Sequence, residues 1–184
     1  MLHTITTITE EIVKLLKDDP VRPEIPVTDR INSNSRIYML KDGDQTKAIT
    51  CVKFLEAVPA AVEDMAGLVE SATTAVFYTI WSYTAGAGRD LIIAAQKSIE
   101  SEFPGIDTYV TLSPKTEMAR RFHLKNGARE LRENLDTINY IYKWLQIKAF
   151  KSQITWLGNP AMTQDLITLT ARHLYLAKII CLLG

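Results

Sequence analysis

The sequence predicts a mixed α/β domain, and three stretches predict it. Two strand-like runs, Ile37 to Leu40 and Ala48 to Phe54, flank Lys41-Asp42-Gly43-Asp44, whose Asp-Gly supplies the positive φ a hairpin turn needs. Thr74 to Trp81 is dense in β-branched and aromatic residues, as a central strand is. It is followed by a small-residue loop and then by Leu91, Ile92, Ala95, Ile99 and Phe103 at helical spacing, closed by Pro104-Gly105.

The remaining elements follow in chain order. Thr7 with Glu10 three residues on has the pattern of a capping box, and Ile8, Ile12, Val13, Leu15 and Leu16 give an apolar stripe, so a first helix ends near Asp18. Pro20, Pro23 and Pro26 make the next stretch an extended connection. Pro59 followed by Val62, Met65, Ala66, Leu68 and Val69 predicts a second helix. Thr108 to Leu112 reads as a strand, and Ser113-Pro114 opens a short helix through Phe122 and Leu124 that Gly127 ends. Strand character continues to about Glu133. Ile138, Ile141, Leu145 and Ala149, then Leu166 to Leu183, read as helices separated by Gly158-Asn159-Pro160.

With 184 residues, 47% of them apolar, the chain can bury one substantial core. The expectation is a single domain over 1–184, in which 1–26 is an N-terminal helix and connection and 136–184 a helical segment. Lys plus Arg equal Asp plus Glu at 21 each, so no overall field steers the chain toward nucleic acid or an anionic membrane. A small-molecule ligand is expected, and a homo-oligomer is left open. Cys51 and Cys181 lack metal or redox spacing, which suits a reduced, cytoplasmic setting. No secretion leader is read at the N-terminus. The Leu166 to Leu183 run contains Arg172, His173 and Lys178, each costly in hydrocarbon, so a packed helix is expected in place of a span.

Tyr83-Thr84-Ala85-Gly86-Ala87-Gly88-Arg89 joins the central strand to the long helix. Peptide N–H groups and the positive helix end can converge there on a phosphate, and Arg89 stands where a cation is otherwise unfavourable. The plain alternative is a tight strand-to-helix turn. A Rossmann fingerprint fails because its third glycine would fall at Leu91, and a Walker loop fails for want of Gly-Lys-Ser/Thr. Neither metal-ligand spacing nor a nucleophile elbow is visible.

The order helix, hairpin, helix, long strand, Gly-x-Gly loop, helix and strand, then Ala119, Phe122 and Gly127 as Ala-x-x-Phe-x-x-x-x-Gly, resembles the GNAT acetyltransferase superfamily. That resemblance implies a mixed, mostly antiparallel sheet flanked by helices. It also implies a coenzyme A pyrophosphate on the glycine loop (Tyr83, Ala85, Gly86, Ala87, Gly88 and Arg89) and pantetheine in a split between two parallel strands. Five stretches are similar to the malonyl-CoA decarboxylase family, whose catalytic domain is GNAT-like. They are Ala75 to Ile80, Glu102-Phe103-Pro104, Thr111-Leu112-Ser113-Pro114, Ala119-Arg120-Arg121-Phe122-His123-Leu124-Lys125-Asn126-Gly127-Ala128, and Ile138-Asn139-Tyr140-Ile141-Tyr142.

The decarboxylase resemblance implies that Ser113, His123 and Tyr142 are catalytic and that the substrate is an acyl-CoA thioester, malonyl-CoA or acetyl-CoA; losing carbon dioxide through an enolate held by hydrogen bonds requires no metal or organic cofactor. The family's loop glutamate has no counterpart, since Gly86 or its neighbours stand in its place. The segment between Ser113 and His123 is far shorter than the family's, and the family's N-terminal helical domain is not expected.

Each residue keeps a plainer reading. Ser113 before Pro114 suits a helix N-cap. His123 can be a hydrogen-bonded buried side chain, and Tyr142 a core residue with its hydroxyl at the edge. Lys115, Arg120, Arg121, Lys125, Arg129 and Arg132 are either a solvated face or an anion-attracting one. If catalytic, His123 is expected near its natural pKa, poised to return a proton to an enolate. Two other functions stand beside decarboxylation: an N-acyltransferase acting on an amine, with His123 in place of the customary tyrosine, and a non-catalytic CoA-binding module.

Overall fold

The computed structural model describes residues 1–67 and 69–142, which lie within one compact unit, Met1–Leu145. In chain order the elements are β1 (Leu2–Ile5), α1 (Glu10–Leu16), β2 (Ser35–Asp42), β3 (Gln45–Leu55), β4 (Thr74–Ser82), α2 (Ala87–Glu102), β5 (Thr108–Thr111), β6 (Ser113–Pro114), α3 (Glu117–Lys125), β7 (Ala128–Glu133) and β8 (Thr137–Tyr142). These eight strands make one sheet in the order β1-β2-β3-β4-β5-β8-β6, with β7 also on β8. Among the described residues only the β4–β5 pair is parallel. The sheet is therefore mixed and mostly antiparallel, as expected.

Two apolar layers cover it. Strand alternation sends Tyr38, Val52, Phe54, Ala75 and Phe77 to one face, where Leu91, Ala95 and Ile99 of α2 pack on them. Ile37, Met39, Ile49, Cys51 and Val76 go to the other, beneath Ile12 and Leu16 of α1. The hairpin forms where expected: Asp42 pairs with Gln45 and Gly43 takes a φ of 54°.

Four expectations need correction. The N-cap of α1 is Thr9, whose side chain accepts from the Ile12 N–H, because residues 2–5 are already committed to pairing with β2; Thr7 caps nothing. After Pro59 there is a single 3₁₀ turn, Glu63–Met65, in place of a helix. Ser113-Pro114 does not open a helix: the pair is a short strand on β8, and α3 begins at Thr116, whose hydroxyl accepts from the Ala119 N–H at 3.2 Å. Thr137–Tyr142 is a strand, not the start of a helix. Thr137, Asn139, Tyr140 and Tyr142 are buried in this strand, and sheet pairing on both edges overrides the helical spacing of Ile138 and Ile141. The remaining helical expectations, through Leu145 and Ala149 and over Leu166 to Leu183, lie outside the described residues. Within those residues no helix is long and apolar enough to cross a membrane.

Candidate active site

β4 and β5 stay in register from Thr74 opposite Thr108 to Phe77 opposite Thr111, and the last bond between them is Leu112 N–H to the Phe77 carbonyl at 3.1 Å. There the strands part. Cys51 of β3 pairs with Thr79 but Val52 pairs with Phe77, so Tyr78 is an extra residue on β4. A bulge of this kind bends its strand and turns side chains off the normal alternation. Tyr78 and Thr79 accordingly both face α1: Tyr78 lies in the apolar layer there, and the Thr79 hydroxyl donates to Asp19 at 2.6 Å.

The three residues expected to act together meet beside this split. The Ser113 hydroxyl lies 2.7 Å from His123 Nε2, and the Tyr142 hydroxyl 3.0 Å from His123 Nδ1. Local structure explains the meeting. Thr111 ends β5 and Ser113 opens β6 two residues on along the same extended run, Tyr140 and Tyr142 are two apart on β8, and period-two alternation points all four toward α3. The Thr116 cap and the glycine stop at Gly127 (φ 85°) fix the length of α3, so that His123 turns inward. Its ring stacks on Tyr140 at 4.5 Å and 24° and meets Phe122 edge-on at 5.1 Å.

His123 is 3% exposed, Ser113 6% and Tyr142 2%. Burial, with no carboxylate on either ring nitrogen, pulls the imidazole pKa down to about 4. The expectation of a histidine near its natural pKa is thus corrected: the ring is neutral at pH 7. Burial pushes the Tyr142 phenol well above its ordinary value, so it is protonated. A neutral imidazole has one N–H and one bare nitrogen, so one of Ser113 and Tyr142 donates to it and the other accepts. With the Ser113 hydroxyl donating to Thr111 Oγ1 at 3.1 Å, Nε2–H donates to Ser113 and Tyr142 donates to Nδ1. Such a chain can pass one proton from end to end.

Thr111, Asn139 and Tyr140 were not singled out from the sequence. Thr111 Oγ1 also accepts from the Tyr140 N–H at 3.2 Å, and Asn139 Nδ2 donates to the carbonyls of Thr111 and Pro59, both at 3.0 Å. These bonds tie β5 to β8 directly under Ser113. The period-two spacing of Thr111 with Ser113 and of Tyr140 with Tyr142 was the signal that could have found two of them.

The glycine loop is separate from this trio. Gly86 caps α2 in the left-handed region at φ 83°, and a β-carbon there would meet no atom within 4 Å. Gly88 has a different reason to lack a side chain: a β-carbon there would lie 3.3 Å from the Phe122 ring. The Ala87 N–H is bonded to the Thr84 carbonyl at 3.2 Å, and Ala85 is exposed. Tyr83 leans away, with its hydroxyl donating to Asp18 at 2.9 Å and accepting from Trp81 at 3.1 Å. Arg89 lines an open cleft of about 710 Å³ with Ile93, Lys125, Asn126 and Gly127. Of the basic residues around α3, Lys115, Arg120 and Arg121 are paired with Glu133, Glu130 and Glu117, which makes that side mainly a solvated, charge-balanced face.

No family model and no curated protein matches the sequence. Solved structures do. Malonyl-CoA decarboxylase from Rhodopseudomonas palustris superposes with a TM-score of 0.52 at 28% identity, over 69% of this chain and 33% of that one. The enzyme of the same name from Agrobacterium vitis gives 0.56 at 24%, over 66% and 35%. The chain thus spans about a third of the length of the malonyl-CoA decarboxylases it matches. A Bacillus subtilis acetyltransferase in complex with CoA gives 0.51 at 14%, over 76% and 93%.

The fold is that of the GNAT acetyltransferases.

On the GNAT fold of this chain, the parting of β4 and β5, the N-terminus of α2 and the inward face of α3 are neighbours through packing alone. Phe122 rests on Gly88 at the start of α2 while the next residue, His123, reaches Ser113 just past the end of β5.

Proposed function

We propose that this chain binds an acyl-CoA thioester and removes carbon dioxide from a malonyl group, giving acetyl-CoA. The observation that carries the reading is the buried chain Ser113–His123–Tyr142 beside the split between β4 and β5. Loss of carbon dioxide breaks the bond between C2 and the carboxylate and moves its electrons into the thioester, leaving an enolate. That charge needs a hydrogen-bond donor in a dry site, and C2 then needs a proton. One proton is consumed per turnover. In this reading the Ser113 hydroxyl turns from Thr111 to give its proton to C2, His123 replaces that proton through Nε2, Tyr142 replaces the imidazole's through Nδ1, and water returns one to Tyr142 as the product leaves. No step calls for an organic cofactor or a metal.

For the remainder of the ligand, the reading places the coenzyme's phosphates at Gly86 to Gly88, beside Arg89 and Lys125. The helix start, the open space at Gly86 and the two cations along one cleft support this. The likeness to malonyl-CoA decarboxylase structures and to an acetyltransferase in complex with CoA supports the ligand class.

A second reading, transfer of an acyl group to an amine, is favoured by one observation: a neutral imidazole can accept an amine's proton. Incubating the protein with malonyl-CoA alone and following acetyl-CoA by mass separates the readings. Product without any amine supports decarboxylation. Consumption of acetyl-CoA only when amines are supplied replaces it with transfer, and binding of CoA without consumption of either thioester reduces the chain to a binding module.

A further inference from the structure

Among the described residues two arginines are buried on the α1 side of the split, and one of them, Arg30, has a partner acid there. Arg30, 1% exposed, pairs with Asp19 at 2.6 Å and also donates through Nε to the Ile25 carbonyl at 3.1 Å. Arg22 is 9% exposed. Its guanidinium makes two long bonds, to the Val21 carbonyl at 3.3 Å and to the Leu112 carbonyl at 3.5 Å, and its Nε has no partner among the described residues. Among the described residues no carboxylate forms an ion pair with it. A buried cation without a counter-charge is costly, and a fork of five donors satisfied by two long bonds is short of acceptors.

Its position is specific. Asp19 binds Thr79 on β4, while Arg22, three residues on, reaches Leu112 just past the end of β5, so the Asp19–Arg22 turn bridges the split where the ladder stops. Leu112 donates its N–H to β4 and so turns its carbonyl toward the same gap, where it is capped by Arg22 in place of a strand partner. Ser113 is the next residue, and its hydroxyl goes to the opposite face. The gap thus has a guanidinium on one side of the sheet and the Ser113–His123 pair on the other.

We propose that Arg22 is the specificity-determining residue that recognises a terminal carboxylate on the acyl group. This deepens the reading of the site as an acyl-CoA site and rests on it. A thioester lying in the gap with its carboxylate drawn toward Arg22 holds the bond to be broken out of the thioester plane, where its electrons can enter the carbonyl system. Arginine suits the task because its planar fork matches both carboxylate oxygens.

The test uses two unreactive thioethers of equal length, S-(2-carboxyethyl)-CoA and S-propyl-CoA, titrated calorimetrically into the whole chain alongside CoA. The carboxylate is expected to improve affinity at least tenfold in the wild type. Arg22→Met is expected to bring that ratio to about one while leaving CoA affinity within twofold, and Arg22→Lys to keep part of it. Equal affinity of the two thioethers for the wild type overturns the proposal and leaves CoA binding standing; failure of CoA itself to bind removes both readings. Should Arg22→Met not fold, the Arg22 Nε–H resonance of the wild type decides. It is expected to shift with the carboxyethyl compound and not with the propyl one, and an equal response to both overturns the proposal.

Discussion

Ser113 and His123 are ten residues apart and meet at 2.7 Å, one at the end of a strand and the other at the inward face of the helix that follows. The connection between them is short, so their contact is set by two local devices: the pairing of Ser113 with Ile138 and the Thr116 cap that starts α3. Several consequences of this arrangement can be measured.

If the trio carries the chemistry, His123→Ala lowers malonyl-CoA turnover by about a hundredfold or more, the usual scale for loss of a general acid–base group. Ser113→Ala is expected to act on kcat in the same way, and Tyr142→Phe, which keeps the ring and removes one link of the relay, to cost less. Steady-state kinetics with a mass readout checks the order.

The imidazole's low pKa predicts a pH–rate profile for kcat/KM without a histidine inflection between pH 5 and 8, and with one near pH 4. A bend near pH 6.5 would show a ring far better solvated than this one.

The same shift makes stability depend on pH. In the unfolded chain the ring titrates at about 6.5 and in the folded one at about 4, so the unfolded state binds the extra proton between these values. Stability is full above pH 6.5, falls as the pH drops to 4, and loses nothing more from this group below that. The total is about 3 kcal/mol. Urea titrations across this window should show the slope in the wild type and its absence in His123→Asn.

Gly88 and Gly86 should fail for different reasons. Gly88→Val pushes a branched side chain into the Phe122 ring and is expected to cost about 1–3 kcal/mol while displacing the neighbouring His123 and lowering turnover. Gly86→Ala meets no atoms but forces an L-residue to φ 83°, at about 1–2 kcal/mol. Thermal melts together with CoA titration separate the two effects.

Asp19 holds four partners at once: the Arg30 guanidinium, the Thr79 hydroxyl and the backbone N–H groups of Val21 and Arg22. Asp19→Ala leaves Arg30 buried without its acid and is expected to cost about 3–5 kcal/mol. Replacing both partners by apolar residues, as in Asp19→Leu with Arg30→Met, should return much of that loss; chemical denaturation of the single and double variants measures it.

The sequence by itself determined the hairpin at Gly43, the central strand Thr74–Ser82, the helix after the glycine loop and the glycine stop at Gly127, because each depends on a local conformational preference of a few adjacent residues. Ser113, His123 and Tyr142 were picked out through the similarity of the stretches around them to the malonyl-CoA decarboxylase family, and nothing in their spacing demanded that they touch. Only tertiary structure made Thr137–Tyr142 a strand: Ile138 and Ile141 have helical spacing and fall on opposite faces of a strand, which a sheet covered on both faces accepts once neighbouring strands offer their hydrogen bonds. Tertiary structure also decided that Gly88 serves Phe122 packing, that His123 is neutral, and that Arg22 lies buried at the gap. All three come from burial by residues distant in the chain, and short-range pattern does not carry that information.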